Sequence, residues 1–149
     1  MIKGSLREFA DRVLESKRIG EDDVRSLQRN ILSDGIVSRE VADVLIALDR
    51  AIEAAHPAWA AYLTGMIVEF VVWTSRPTGF VDADTARWLV ASLGRGDGPT
   101  ETAKRIAFEV VREAERADEI LLAFAMRAAQ GRRPSETAEE VGSVERFAA

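Results

Sequence analysis

Apolar residues recur at spacings of three and four along most of this chain, which is the period of an amphipathic helix. The clearest example is a predicted helix over Ser38–Ala55, whose apolar side carries Val41, Val44, Leu45, Leu48 and Ile52. The same kind of pattern predicts further helices over Ser5–Lys17, from Glu21 onward, and over Asp82–Leu93. The chain is therefore expected to be mainly helical.

The segment Pro57–Thr74 differs from these helices because it is apolar on nearly every side. A helix without a polar face is covered in several directions, so we expect this one at the centre of the fold. Ala58, Ala61 and Gly65 form a strip of small residues that would admit a close neighbour, and Glu69 lies on the same side. The apolar run is too short for a membrane span, so we expect no membrane segment.

Residues Thr100–Gln130 contain no internal glycine or proline, which allows either one long helix or two. We favour two helices with a break near Arg116–Asp118. Together these elements predict an all-α single domain over residues 1–130, with about six or seven helices around the helix at 57–74. Residues 131–149 are expected to be a polar C-terminal tail. Its Val141, Val144 and Phe147 could form a short docking helix, and a disordered tail is an equal alternative.

Three short turns share one pattern, in which a glycine is followed by a residue that can cap a helix. The pairs of glycine and capping residue are Gly35 with Ser38, Gly79 with Asp82, and Gly98 with Thr100. Each glycine suits a positive backbone dihedral, and each polar side chain can accept a hydrogen bond from the first helical turn. We also expect Val37 and Val81 to pair as short extended pieces.

The turns resemble the second half of an EF-hand calcium loop, but their ligand positions are wrong for calcium. Calcium needs several oxygen ligands and a closing bidentate carboxylate. In the first turn Asn30 and Asp34 fall at ligand positions, whereas Leu32 and Val41 replace two others. The third and twelfth loop positions of the other two turns hold Arg76, Thr85, Arg95 and Lys104. We therefore expect no calcium binding.

The stretch Asp-Gly-Ile-Val-Ser-Arg-Glu-Val-Ala-Asp-Val-Leu is similar to the turn that recurs in the TerB-like family, which is linked to tellurite resistance. The similarity covers mainly Val24–Ala51, with a weaker echo at Val81–Leu93. Members are small all-helical proteins, and some are thought to bind metal through acidic side chains. The resemblance implies a role in stress response and singles out Asp34 and Glu40 as the matching acidic residues.

Composition narrows the possible chemistry. The chain has no cysteine, which excludes disulfides, thiolate metal sites and cysteine nucleophiles and fits a cytosolic protein. Its formal charge of −5 argues against nonspecific nucleic-acid binding, which usually needs a basic face. The glycine-rich stretch Gly94–Gly98 lacks the spacing of a phosphate-binding loop. We therefore expect no cofactor and no nucleic-acid partner.

Two residues are candidates for chemistry. His56 is the only histidine, no nucleophile elbow accompanies it, and its position before Pro57 predicts a helix end where the imidazole meets the last carbonyls. A carboxylate at Glu69 would have a raised pKa if buried alone. The alternative is that Glu69 pairs with Arg76 or Arg87, or reaches the rim of the protein. No catalytic or metal-ligand set emerges, so we expect that the protein is not an enzyme.

One aromatic residue is a candidate for contact with a partner. Trp88 lies off the apolar stripe of its helix and near Arg87 and Arg95, a combination typical of interaction surfaces. A second packing surface of the helix, or a dimer interface, would explain this position of Trp88 equally well. We therefore expect a non-enzymatic cytosolic binding or scaffold protein that engages another protein or a second copy of itself.

Two other functions stay open at this stage. The first is a metal-responsive TerB-like protein that binds a divalent ion through carboxylates near the turns. The second is a hydrolase, which would need a water-filled cleft beside Glu69 or His56.

Overall fold

Helices make up most of the computed structural model, which describes residues 4–74 and 76–130. The helices are α1 (Gly4–Ser16), α2 (Glu21–Ser26), α3 (Arg39–Ala51), α4 (Pro57–Val68), α5 (Ala83–Leu93), α6 (Glu101–Glu113) and α7 (119–130). Two-residue strands connect them: β1 (Arg18–Ile19), β2 (Ala54–Ala55), β3 (Phe80–Val81) and β4 (Arg116–Ala117). The π-helical turns Leu27–Ile31 and Glu69–Thr74 continue α2 and α4. The predicted all-α single domain is confirmed, while the predicted tail at 131–149 lies outside the described residues.

Helix α4 occupies the centre of the fold, as its apolar sequence predicts. It packs against α2, α3 and α6, and its π turn also contacts α6. Trp59, Leu63 and Ile67 are almost completely buried, so this helix supplies much of the core. No helix in the described ranges is long and apolar enough to cross a membrane.

Helix α3 ends at Ala51, and the prediction that it continues to Ala55 is wrong. Its last turn is followed by Ile52 in an extended conformation. The amides of Glu53 and Ala54 then donate to the carbonyl oxygen of Lys17, at 2.8 and 3.3 Å. Residues 54–55 can therefore pair with β1 as strand β2, and these long-range hydrogen bonds replace those of a further helical turn.

The three predicted helix caps are confirmed. Each side-chain oxygen accepts a hydrogen bond from an amide in the first helical turn: Ser38 from Val41 (3.3 Å), Asp82 from Thr85 (2.9 Å) and Thr100 from Ala103 (3.0 Å). The bond from the Thr85 backbone lowers the pKa of the Asp82 carboxyl, with a smaller contribution from the Thr85 side chain. Positive φ angles at the predicted glycines, 82° at Gly35, 87° at Gly79 and 108° at Gly98, reverse the chain before each cap.

The extended pieces pair differently from the sequence prediction. Val81 pairs with Ala117 in the parallel strands β3 and β4, whereas Val37 is 67% exposed and lies outside the strands. Strand β4 separates α6 from α7, so the predicted break near Arg116–Asp118 is confirmed. Strand pairing across the fold thus decides where the long helical region is interrupted.

The two parallel strand pairs are built alike, which reveals an internal repeat. The carbonyl oxygen of Lys17 accepts from the amides of residues 53 and 54, and that of Gly79 accepts from the amides of residues 115 and 116. Both acceptors have a positive φ, 59° at Lys17 and 87° at Gly79. The same bonds therefore recur 62 positions later in the chain.

Helix caps and helix ends follow the same offset of 62 positions. Ser38 corresponds to Thr100, and each caps the start of its helix. His56 corresponds to Asp118. The side chain of each accepts a hydrogen bond from the amide two residues further along the chain. Few aligned positions are identical, Leu27 with Leu89 being one. The fold therefore consists of two similar units, α1 to α4 and α4 to α7, which share the central helix.

Two aspartates on α3 hold the units together. The Asp43 carboxylate accepts hydrogen bonds from the indole of Trp88 (3.0 Å) and the hydroxyl of Ser92 (2.7 Å) on α5. The Asp49 carboxylate accepts from the indole of Trp59 on α4 (3.0 Å) and from the hydroxyl of Thr100 at the start of α6 (2.6 Å). Each carboxylate thus joins α3 to elements that follow it in the chain, through hydrogen bonds strengthened by its charge.

The only tyrosine of the chain lies on α4 with its hydroxyl buried. The hydroxyl of Tyr62 has no hydrogen-bond partner among the residues that the structure describes. Desolvation by burial raises the pKa of Tyr62 to about 12, because the phenolate would lose its hydration.

Replacing Asp49 with alanine is expected to lower the free energy of unfolding by about 2 kcal/mol, because the buried indole N–H of Trp59 loses its acceptor. Asp97→Ala is the matched control, since Asp97 is exposed in a loop, and we expect a change within about 0.5 kcal/mol. Urea unfolding measures both. Equal losses in the two variants would contradict a special role for Asp49.

Tyr62 is expected to ionise with a midpoint near pH 12 in the native protein and near pH 10 in urea. Because the pKa is raised in the folded state, this tyrosine's contribution to stability is fully present below pH 10 and is lost as the pH rises to about 12. Tyrosinate absorbance follows the ionisation, and circular dichroism reports whether the fold persists. A native midpoint near pH 10 with an unchanged dichroism spectrum would rule out a desolvated hydroxyl.

Candidate functional site

Helix α4 exposes one stripe although it lies at the centre of the fold. Ala61, Gly65, Glu69 and Trp73 follow one another at intervals of four residues, and all four are exposed. They lie on one side because residues four apart are neighbours on a helix surface. Of the predicted strip of small residues, Ala61 and Gly65 remain uncovered by the described residues, whereas Ala58 is partly buried against the core.

Gly65 keeps this stripe open. A Cβ atom built at Gly65 would meet no other heavy atom within 4 Å, so packing does not require glycine here. Together with Ala61 it forms the floor of an open groove of about 430 Å³ between α4 and α6. The buried hydroxyl of Thr64, which has no hydrogen-bond partner in the described part of the chain, also borders this floor.

Helix α6 forms the other wall with side chains of both charges: Arg105, Glu109, Arg112 and Glu113. The guanidinium of Arg112 donates to Glu109, at 3.0 Å from Nε and 2.5 Å from a terminal nitrogen. This hydrogen bond, helped by the Glu109 charge, raises the pKa of Arg112. Arg105 is exposed and forms no ion pair with the described residues, so its charge is available to a ligand.

A second recess continues the groove along α6. It is bordered by Ala60 on α4 and by Glu101, Thr102, Arg105 and Phe108 on α6, so Arg105 belongs to both recesses. Phe108 is 57% exposed, and Trp73 in the first recess is 43% exposed. Large aromatic side chains and arginine are the residues that dominate binding energy at protein interfaces. We call the two recesses together the α4–α6 groove.

Among the candidate residues from the sequence, only Glu69 lies in the α4–α6 groove. Its side chain is exposed, so Glu69 is not the isolated buried carboxylate that the sequence left open, and it lies at the rim of the protein as the alternative predicted. No ion pair joins it to Arg76 or Arg87 within the described ranges, and the arginines that share its groove are Arg105 and Arg112. Glu69 therefore contributes charge to the groove.

His56 has a different role from the one predicted. Its Nδ1 accepts a hydrogen bond from the amide of Ala58 at 3.1 Å, so it caps the start of α4. The prediction that its imidazole meets the last carbonyls of the preceding helix is wrong, because that helix already ends at Ala51. The exposed imidazole is thereby held at a helix start, and it lines neither recess of the α4–α6 groove.

Asp34 and Glu40 are both exposed near the first turn. Within residues 4–74 and 76–130, no three side chains of histidine, aspartate or glutamate lie close enough together to hold a metal ion. The metal-responsive alternative stays a prediction, and no arrangement in the described residues favours it.

The predicted contact residue Trp88 is half-buried between helices. Its ring packs edge-on against Phe70, and its indole donates to Asp43. The guanidinium of Arg39 lies over the ring, 5.2 Å from its centroid, whereas Arg87 and Arg95 are exposed elsewhere on α5 and the following loop. These contacts fit the alternative prediction, in which Trp88 belongs to a second packing surface and is not a free contact residue.

The α6 side of the groove is not predicted by the sequence. Arg105 and Phe108 are exposed on the same helix as the apolar stripe that includes Ala103, Ile106 and Val110. An exposed phenylalanine three residues from an arginine was the available signal. It was weak because only the packing of α4 beside α6 shows that both residues border one recess.

The chain matches no family model, no curated protein and no solved structure. Its function must therefore be inferred from the geometry of the groove.

Proposed function

We propose that this protein is a non-enzymatic cytosolic binding protein that holds a helical segment of another protein in the α4–α6 groove. The observation that carries this proposal is the open floor at Ala61 and Gly65. The most apolar helix of the fold presents its smallest side chains to an open groove between two helices. Binding grooves for amphipathic helices are built in this way, with apolar floors between helices.

The shape of the groove favours a helix as the ligand. Small side chains on the floor allow the backbone of a bound helix to approach α4 closely. The volume of about 430 Å³ is enough for several side chains of the partner. A groove that exists without any rearrangement also lowers the entropy lost on binding.

The exposed side chains suggest the chemistry of the partner. Trp73 and Phe108 provide aromatic area for apolar residues of the partner helix. Arg105 has no ion pair among the described residues and can receive a carboxylate. The proposed ligand is thus an amphipathic helix with apolar residues on one side and an acidic residue at its edge.

Filling the groove is expected to abolish this binding. Gly65→Phe places a ring over the open floor, and Ala47→Phe is the matched control because Ala47 is exposed on α3. Helical peptides are selected from a display library on the wild-type protein, and their affinities for all three proteins are measured by calorimetry. We expect at least tenfold weaker binding to Gly65→Phe and unchanged binding to Ala47→Phe.

Two results would overturn the proposal. The first is a selection that yields no peptide, or only peptides that bind Gly65→Phe as tightly as the wild type. The second is a stable dimer in light scattering that becomes a monomer on Gly65→Phe, because a second copy would then occupy the groove. Circular dichroism checks that both variants are folded.

Gly65→Ala is expected to raise the free energy of unfolding by up to about 1 kcal/mol, because alanine favours helix and the added methyl meets open space. This outcome would show that glycine at this position is not needed for the fold. Thermal and urea unfolding measure the change, and a loss of stability would instead mean that Gly65 is packed against part of the protein.

A further inference from the structure

Helix α7 holds in the second unit the place that α4 holds in the first, yet one of its sides is open. In the internal repeat, Leu122 and Met126 correspond to Ala60 and Thr64, which lie 62 positions earlier in the chain. Thr64 is 5% exposed beside α6, whereas Met126 is 63% exposed. The repeat therefore predicts a packing partner on this side of α7 that the described residues do not supply.

The open side of α7 carries large apolar side chains. Leu122 is 37% exposed, and it borders a cavity of about 520 Å³ together with Phe80, which is 43% exposed, and with the charged residues Asp82, Arg116, Asp118 and Glu119. Met126 lies one helical turn beyond Leu122, and we call Phe80, Leu122 and Met126 the α7 patch. Neighbouring large apolar side chains left in solvent indicate a surface that another segment covers.

We propose that the C-terminal segment 131–149 of the same chain covers the α7 patch, with Val141, Val144 and Phe147 packed on Leu122 and Met126. The segment follows Gln130 directly, about one helical turn beyond Met126. Ten residues can span up to about 35 Å, so the segment reaches the patch easily. Its apolar residues are three apart, as on one side of a helix.

Tethering favours this segment over a second copy. A tethered segment acts at an effective concentration of about millimolar, which a second copy in dilute solution does not reach.

Engineered cysteine pairs test the contact, because the chain has no cysteine of its own. Met126→Cys with Val144→Cys is compared with Arg127→Cys and Val144→Cys, in which the first cysteine is exposed on a different side of α7 at nearly the same separation along the chain, so that tethering alone favours both pairs equally. Both full-length variants are oxidised at low concentration and analysed on non-reducing gels. We expect an intramolecular disulfide to form at least tenfold faster in the Met126 pair.

Either of two outcomes would overturn the proposal. Equal rates in the two pairs would mean that the segment has no preference for α7. A predominantly intermolecular disulfide in the Met126 pair would mean that the patch is covered by a second copy.

Methionine oxidation gives an independent readout in the full chain. Peroxide is expected to oxidise Met126 several-fold faster when Val141, Val144 and Phe147 are all changed to serine, because the thioether then loses its cover. The control changes Ser135 and Ser143 to alanine, and Met66 on α4 serves as the internal reference in peptide mass spectrometry. An unchanged Met126 rate in the serine variant would contradict coverage by the segment.

Discussion

The carboxylates of Asp43 and Asp49 are the interactions on which the arrangement of the helices depends. Each accepts one indole N–H and one hydroxyl, and together they join α3 to α4, α5 and the start of α6. The bond to Trp59 also anchors one side of α4 to α3. Gly65 follows Trp59 by six residues, or about 240° around the helix, so it faces a different direction from the anchored side. The open floor of the α4–α6 groove and this hydrogen bond thus lie on different sides of α4.

The internal repeat explains why α4 and α7 differ so much in their surroundings. Both follow a strand of a parallel pair and begin at a capping side chain, His56 in one unit and Asp118 in the other. Helix α4 is enclosed because the second unit continues from it and places α6 alongside. Helix α7 ends the described chain, so the same side carries exposed Leu122 and Met126. A repeated fold buries its shared helix and leaves its last helix with an apolar side to cover.

Local features of the fold could be predicted from the sequence. The caps at Ser38, Asp82 and Thr100 depend on residues within one turn, and the apolar side of α3 depends on helical period alone. The repeat was not visible because corresponding positions rarely keep the same residue. The turn before Ser38 is similar in sequence to the turn before Asp82. In the fold, however, Ser38 corresponds to Thr100.

The sequence by itself determined the helices, their caps and the central place of the segment 57–74, because these follow from periodicity and nearest neighbours in the chain. The tertiary structure decided the end of α3 and the role of His56, since hydrogen bonds to β1 come from residues far away in the sequence. It also decided which exposed residues meet. Glu69 was a candidate from the sequence, but Arg105 and Phe108 became part of a groove only because α6 packs beside α4. A helix pattern shows which side is apolar, whereas the partner of that side depends on long-range packing.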